Sequence, residues 1–191
     1  MVKEILQIGS DILTTKSEPV ADINSEDTKA LIRDMLDTCL DKKQGTAGLS
    51  APQIGVLQRV CICRRTDLED KNGEDTISDN ELWEVMINPV ITSKSDVQSV
   101  FWEGCLSIGV GDDQLFGPVY RPLDIEVEFT TPVGEQKTLE ANGFFSHVIQ
   151  HEIDHLDGVL FVTYISNPQN IWKNKELDKY LSTHGEFPPI A

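Results

Sequence analysis

Between Gly143 and Gly158 the sequence reads GFFSHVIQHEIDHLDG, and within it His151-Glu152-Ile153-Asp154-His155 has the form H-E-x-x-H. On an α-helix, residues four apart lie one turn apart on the same face, so both imidazoles can reach one metal ion. Glu152, next to the first histidine, is then free to act on a metal-bound water instead of ligating. The flanking residues predict a helix. Phe144, Phe145, Val148, Ile149, Ile153 and Leu156 recur at spacings of three and four, Asn142 stands at the N-cap, and Gly158 at C′. A helix this apolar belongs to the core, where an unpaired histidine and glutamate are costly to bury. His147 extends the stripe by one turn but cannot share an ion with both other histidines. At about 1.5 Å rise per residue it lies roughly 12 Å from His155 along the axis. It reads instead as a pocket or supporting residue.

A catalytic ion needs a third protein ligand and one position left for water. The run His155-Leu-Asp-Gly-Val-Leu-Phe161 mimics the metzincin pattern, yet Phe161 stands where the third histidine belongs, which excludes that arrangement. Glu176, 25 residues beyond His151, could complete a thermolysin-like site. Cys105, in Trp102-Glu103-Gly104-Cys105-Leu106-Ser107, is the other choice. It follows an expected strand, and Gly104 gives the backbone freedom to turn.

The elements that must position these residues are legible in outline. A helix is expected from a cap at Asn24 or Ser25 to about Lys42, with Leu31, Ile32, Met35, Leu36, Cys39 and Leu40 on one stripe. Residues 2–8 alternate weakly and suggest a short edge strand. Gln44 to Gly55, QGTAGLSAPQIG, combines glycine, proline and small residues, as close backbone approach to a ligand requires, and equally as a tight turn does. Arg59–Arg64, Glu84–Thr92, Val97–Trp102 and Arg121–Thr130 read as strands, the last turning at Pro132-Val133-Gly134 into another that ends near Glu140. Cys61 and Cys63 fall on one strand face and read as core packing. Thr66 to Glu81 carries seven acids and one lysine and reads as a solvated loop. Ile171–Leu181 suggests a last helix before a proline-rich tail.

The 191 residues are enough for one domain with a sizeable core, and no interdomain linker or repeat interrupts 1–191. A net charge of −16 argues against binding phosphate backbones or an anionic membrane surface. The N-terminus lacks the apolar region of a signal peptide, and the four cysteines show no disulfide-framework spacing. A reducing, cytoplasmic compartment is the expectation.

Glu103-Gly-Cys-Leu-Ser107, Gly48-Leu-Ser-Ala-Pro-Gln53 and His151-Glu-Ile-Asp-His-Leu-Asp-Gly158 occur in the order found in peptide deformylases. The chain resembles that family from Val2 to Phe161, including Ile87-Asn88-Pro89 and the segment from Glu140 to Phe144. The resemblance implies an α+β fold, with antiparallel sheets packed around a central helix that carries the metal motif. It implies a divalent metal held by Cys105, His151 and His155, iron(II) in the cell, with zinc, nickel or cobalt able to substitute. It also implies removal of the formyl group from the formyl-methionine of new polypeptides, with release of formate. In that role Glu152 would handle the proton, while the Gln53 side chain and the Leu106 backbone N–H would donate to the formyl oxygen. Phe101, Phe144, His147 and Val148 fall at pocket positions. Gly48 and Leu49 lie along the strand expected to pair with the peptide, and Glu103 would anchor the pocket wall. The expected partners are formyl-methionyl peptides and nascent chains, met by a monomer without nucleic-acid or membrane contact.

The chain departs from the family pattern at several places. Thr46 replaces a glycine, Ser50 an alanine, and His147 a usually aliphatic residue, so the cleft is expected to be narrower and more polar. Many bacterial members carry an arginine soon after the cysteine motif, but Ile108 to Tyr120 holds no Arg or Lys. At the C-terminus Lys173, Lys175 and Lys179 are balanced by Glu176, Asp178 and Glu186, so weak ribosome binding is expected. Two rival readings stand beside this: a thermolysin-like peptidase using Glu176, and a metal-bound peptide-binding module without activity. Intact Gln53, Cys105 and Glu152 argue against the second, since a pure binder needs no buried base.

Overall fold

The computed structural model describes residues 1–41, 45–68 and 82–191. In chain order, helix α1 (Glu26–Leu40) precedes strands β1 (Gly48–Ser50), β2 (Val60–Arg64), β3 (Trp83–Lys94) and β4 (Gln98–Gly104). Then come β5 (Leu115–Pro122), β6 (Asp124–Thr130), β7 (Gln136–Asn142), helix α2 (Gly143–Leu156), the short β8 (Trp172–Lys173) and helix α3 (Asn174–His184). Five strands form one antiparallel sheet in the order β1-β2-β3-β6-β7, and β4-β5-β8 form a second. Helix α2 lies between them, touching β1, β2 and β7 of the first sheet and β4 and β5 of the second.

The larger sheet is covered on both faces, which explains the continuous apolar runs in β2 and β3. Val60, Ile62, Val85 and Ile87 pack with Leu31, Ile32, Met35 and Cys39 of α1. Their neighbours Cys61, Cys63 and Met86 pack with Phe145, Ile149, Ile153 and Leu156 of α2. The register pairs Cys61 with Met86 and Ile62 with Val85, and a one-residue slip would exchange the two cores. Cys61 and Cys63 are core residues, as expected. Helix α1 starts where Ser25 Oγ accepts the Thr28 N–H, with Glu26 and Asp27 in its first turn to complement the dipole. Asn88 takes a positive φ of 53° and bonds the backbone N–H and C=O of Val20 through its side chain. An asparagine suits both demands.

Several expectations need correction. Residues 2–8 form no strand, because their backbone bonds go to separate partners: Lys3 N–H to Thr38 Oγ1, Leu6 N–H to the Gln53 carbonyl, and Ile8 N–H to the Ser107 carbonyl. The expected strand Arg121–Thr130 is divided, Arg121 ending β5 and Asp124 opening β6. Strand β5 itself was hidden by Gly117 and Pro118. It tolerates Pro118 because β8 reaches only Leu115 and Phe116, leaving the rest of that side an edge. Leu40 is exposed at the end of α1, which stops two residues before Lys42. The last helix starts at Asn174, after the β8 pairing, and runs to His184. Lys42, Gln44 and residues 69–81 of the acidic loop lie outside the described residues.

Phe145 is 1% exposed and anchors α2 to the larger sheet. Phe145→Ala is expected to cost about 3–5 kcal/mol. Chemical denaturation checks this as a lowered midpoint with an unchanged slope.

Candidate metal centre

Helix α2 places His151 and His155 on one face, and the turn after β4 brings Cys105 to them. Ile108 N–H closes that turn on the Cys105 carbonyl, and Cys105 Sγ lies 3.2 Å from His155 Nε2. The sulfur and one nitrogen from each of His151 and His155 all lie within 4.8 Å of one another. Among the described residues this is the one such cluster of metal-binding side chains. Glu176 is exposed in the first turn of α3 and takes no part. Phe161, in the would-be third histidine position, is buried with Leu13, Cys105 and Val119.

The donor set fits a divalent ion. One thiolate and two imidazoles on three sides leave a fourth position open, as catalytic sites of this type require. Burial disfavours charge on both imidazoles, yet the Cys105 sulfur and Glu103 outweigh it at His151 and hold its pKa well above the usual value. At His155 burial, reinforced by His151, keeps the pKa well below it.

Glu103 is the support of this arrangement. Its Oε2 lies 2.8 Å from His151 Nδ1, which turns the other ring nitrogen towards Cys105. Arg121 Nε donates to Oε1 at 2.6 Å and Nη2 to Oε2 at 3.1 Å. His147 Nε2 stands 2.9 Å from Oε1, off the ring N–H direction, so it is a close electrostatic contact rather than an aligned hydrogen bond. Burial pushes the Glu103 pKa up, but His147, His151 and Arg121 together overcome it and hold the carboxyl far below its usual range. Arg121 also donates to Asp154 Oδ2 at 2.6 Å, and Tyr164 donates to Asp154 Oδ1 at 3.2 Å.

Glu152 turns to the other side of the helix face. Ser50 Oγ is 2.7 Å from its Oε2 and 2.8 Å from its backbone carbonyl. Burial raises the Glu152 pKa to about 7, against the opposing effects of His151 and Ser50. A Cβ on Gly48 would overlap this carboxylate, so β1 must carry glycine there. Gln53 accepts the Ser50 N–H at 2.8 Å, and its Nε2 donates to Ser107 Oγ at 3.2 Å and towards Cys105 Sγ at 3.5 Å.

A cavity of about 250 Å³ joins these groups. Of the residues expected in the pocket, Gly48, Glu103, Phe144, His147 and Val148 line it, as do Gln53, Leu106, Cys105, His151 and Glu152. Phe101 stands behind the wall, its ring 4.9 Å from His147 and 5.5 Å from Phe144. The Leu49 side chain is buried in the α1 core. Only its backbone, on the free edge of β1, remains available.

Residues 2–170 match the polypeptide deformylase family. The chain belongs to that family. It is 37% identical over 181 residues to the peptide deformylase of Pelagibacter ubique, covering 95% of this chain and 96% of the relative. Over 165 residues it is 41% identical to that of Afipia carboxidovorans, covering 86% and 87%. The Met-Ala-Ser-bound class I type b peptide deformylase of Acinetobacter baumannii superposes with a TM-score of 0.72 at 31% identity, covering 86% of this chain and 98% of that one. The α+β architecture expected from sequence is the one observed.

Within this deformylase, Arg121, Ser50, Ser107 and Asp154 were missed by sequence reasoning. Arg121 carried a faint signal, a lone cation between Tyr120 and Pro122 in a strand. Glu103→Gln removes the buried carboxylate from the Arg121 guanidinium, leaving it only the less buried Asp154, and is expected to cost up to about 3–5 kcal/mol. Thermal denaturation of the metal-free protein checks this as a clear fall in Tm, which Arg121→Leu reproduces.

Proposed function

We propose that Cys105, His151 and His155 hold one divalent ion, beside which this enzyme removes the N-formyl group of newly made polypeptides and releases formate. The observation that carries this reading is the convergence of Cys105, His151, His155, Glu152 and Gln53 on one cavity. When bound, such an ion lowers the pKa of a coordinated water towards about 7 and polarises the formyl carbonyl. Glu152 accepts the proton from the attacking water and returns it to the amine nitrogen as the C–N bond breaks. Charge gathers on the formyl oxygen, and Gln53 Nε2 and the Leu106 N–H donate to it. Glu103 keeps Nδ1 of His151 engaged, so Nε2 is the nitrogen presented to the ion. Methionine occupies the slot walled by Phe144, His147 and Val148, while the β1 edge at Gly48 and Leu49 pairs with the peptide backbone.

The soft Cys105 thiolate suits iron(II) as the cellular ion, with zinc, nickel or cobalt as substitutes. The family match over residues 2–170 supports reading the chain as one catalytic domain. We read the protein as a cytoplasmic monomer that meets nascent chains, and its net charge of −16 argues against its holding nucleic acid. None of the helices in the described residues is long and apolar enough to cross a membrane.

Formate release from formyl-Met-Ala-Ser tests the proposal, with the protein loaded anaerobically with iron(II) or nickel(II). Glu152→Ala should abolish release while metal stays bound. Gln53→Ala should lower kcat by about 10²–10³. Full activity in either variant would contradict its assigned role.

A further inference from the structure

The seven residues after α3 lie beyond the family match, which ends at residue 170, yet they are fastened to the molecule. The Ala191 N–H donates to Asn170 Oδ1 at 2.8 Å, and the side-chain amides of Asn170 and Asn167 each donate to the Ala191 carbonyl at 3.3 Å. Pro188 is buried. The Phe187 ring stacks on Trp102 with centroids 5.4 Å apart and planes 13° from parallel.

Trp102 belongs to β4, where side chains alternate between faces. Glu103 reaches inward to His147 and His151, and Phe101 packs on His147. Trp102 therefore points to the outer face. The Phe116 ring covers the same face beside Gly104, filling the space a side chain there would need. Trp102, Gly104 and Phe116 nevertheless line the same cavity as Cys105 and His151. At the end of β4 the cavity is therefore bordered by Trp102 and by the Phe116 ring packed against Gly104. Phe187 stands outside the cavity lining, stacked on Trp102, and keeps 50% of its surface exposed.

We propose that Trp102, Phe116 and Phe187 form a subsite for an aromatic side chain on the residue directly after formyl-methionine. In an extended substrate successive side chains point to opposite sides. With methionine in the slot of Phe144, His147 and Val148, the next side chain is directed away from it, towards the outer face of β4. Offset or edge-on packing against the wall then favours a ring at that position. The C-terminal tail is the part of the chain that supplies the outer half of the subsite. This rests on the deformylase reading and adds a substrate preference to it.

The test compares formyl-Met-Ala-Ser with formyl-Met-Phe-Ser on the full-length, metal-loaded protein, in wild type, Phe187→Ala and Phe187→Tyr. Wild type should favour the phenylalanine peptide about 3- to 10-fold in kcat/KM, chiefly through KM. Phe187→Ala should erase that preference while formyl-Met-Ala-Ser stays within about two-fold of wild type, and Phe187→Tyr should retain the preference. Equal turnover of the two peptides by wild type would overturn the subsite. So would a preference that survives Phe187→Ala, or an equal loss on both peptides, which marks a merely structural tail. Failure of wild type on formyl-Met-Ala-Ser itself would overturn the deformylase reading and the subsite with it.

Discussion

A carboxylate held inside a protein must find enough donors to replace the water it has lost, and here that carboxylate is Glu103. Its two oxygens are shared among Arg121, His147 and His151, at distances between 2.6 and 3.1 Å. Two of those partners come from α2 and one from β5, while Glu103 itself lies on β4. A single buried charge therefore sets the smaller sheet against the central helix, and with it the position of Cys105, two residues further along the chain. The attraction alone is weak support for stability, because both partners lose hydration. Its value is geometric. Once Arg121 is buried, the arrangement has few alternatives that leave every charge satisfied.

The larger sheet supplies the opposite wall by different means. Apolar packing on both faces of β2 and β3 fixes the register, and the register fixes where β1 ends. From that end Ser50 meets Glu152, and the turn after it aims Gln53 at Cys105 and Ser107. The cleft thus has one wall set by core packing and one set by a charge network. Helix α2 belongs to both, which is why a helix so apolar can carry two histidines and a glutamate.

The sequence revealed the parts with short local signatures. The H-E-x-x-H spacing, a cap at Asn24 or Ser25 (Ser25 in the structure) and the alternation in β6 each specify their own structure over a few residues. Cys105 could be named only through its resemblance to a family, because no local rule chooses between it and Glu176. What stayed hidden depends on distant partners. Strand β5 contains glycine and proline, and its pairing with β4 outweighs both. Arg121 reads as an ordinary strand-end cation until Glu103 and Asp154 are seen beside it. Residues 2–8 look like a strand but divide their bonds between α1 and the two sides of the cleft.

The central claim is that Cys105 joins the two histidines on one ion, and cobalt(II) loading of the metal-free protein tests it most directly. One equivalent should bind, with the intense near-ultraviolet absorption of a thiolate bound to cobalt. Cys105→Ser should lose that absorption, and Glu176→Gln should leave it unchanged. Cobalt bound without the thiolate band in the wild-type protein, or lost on replacing Glu176, would contradict the account.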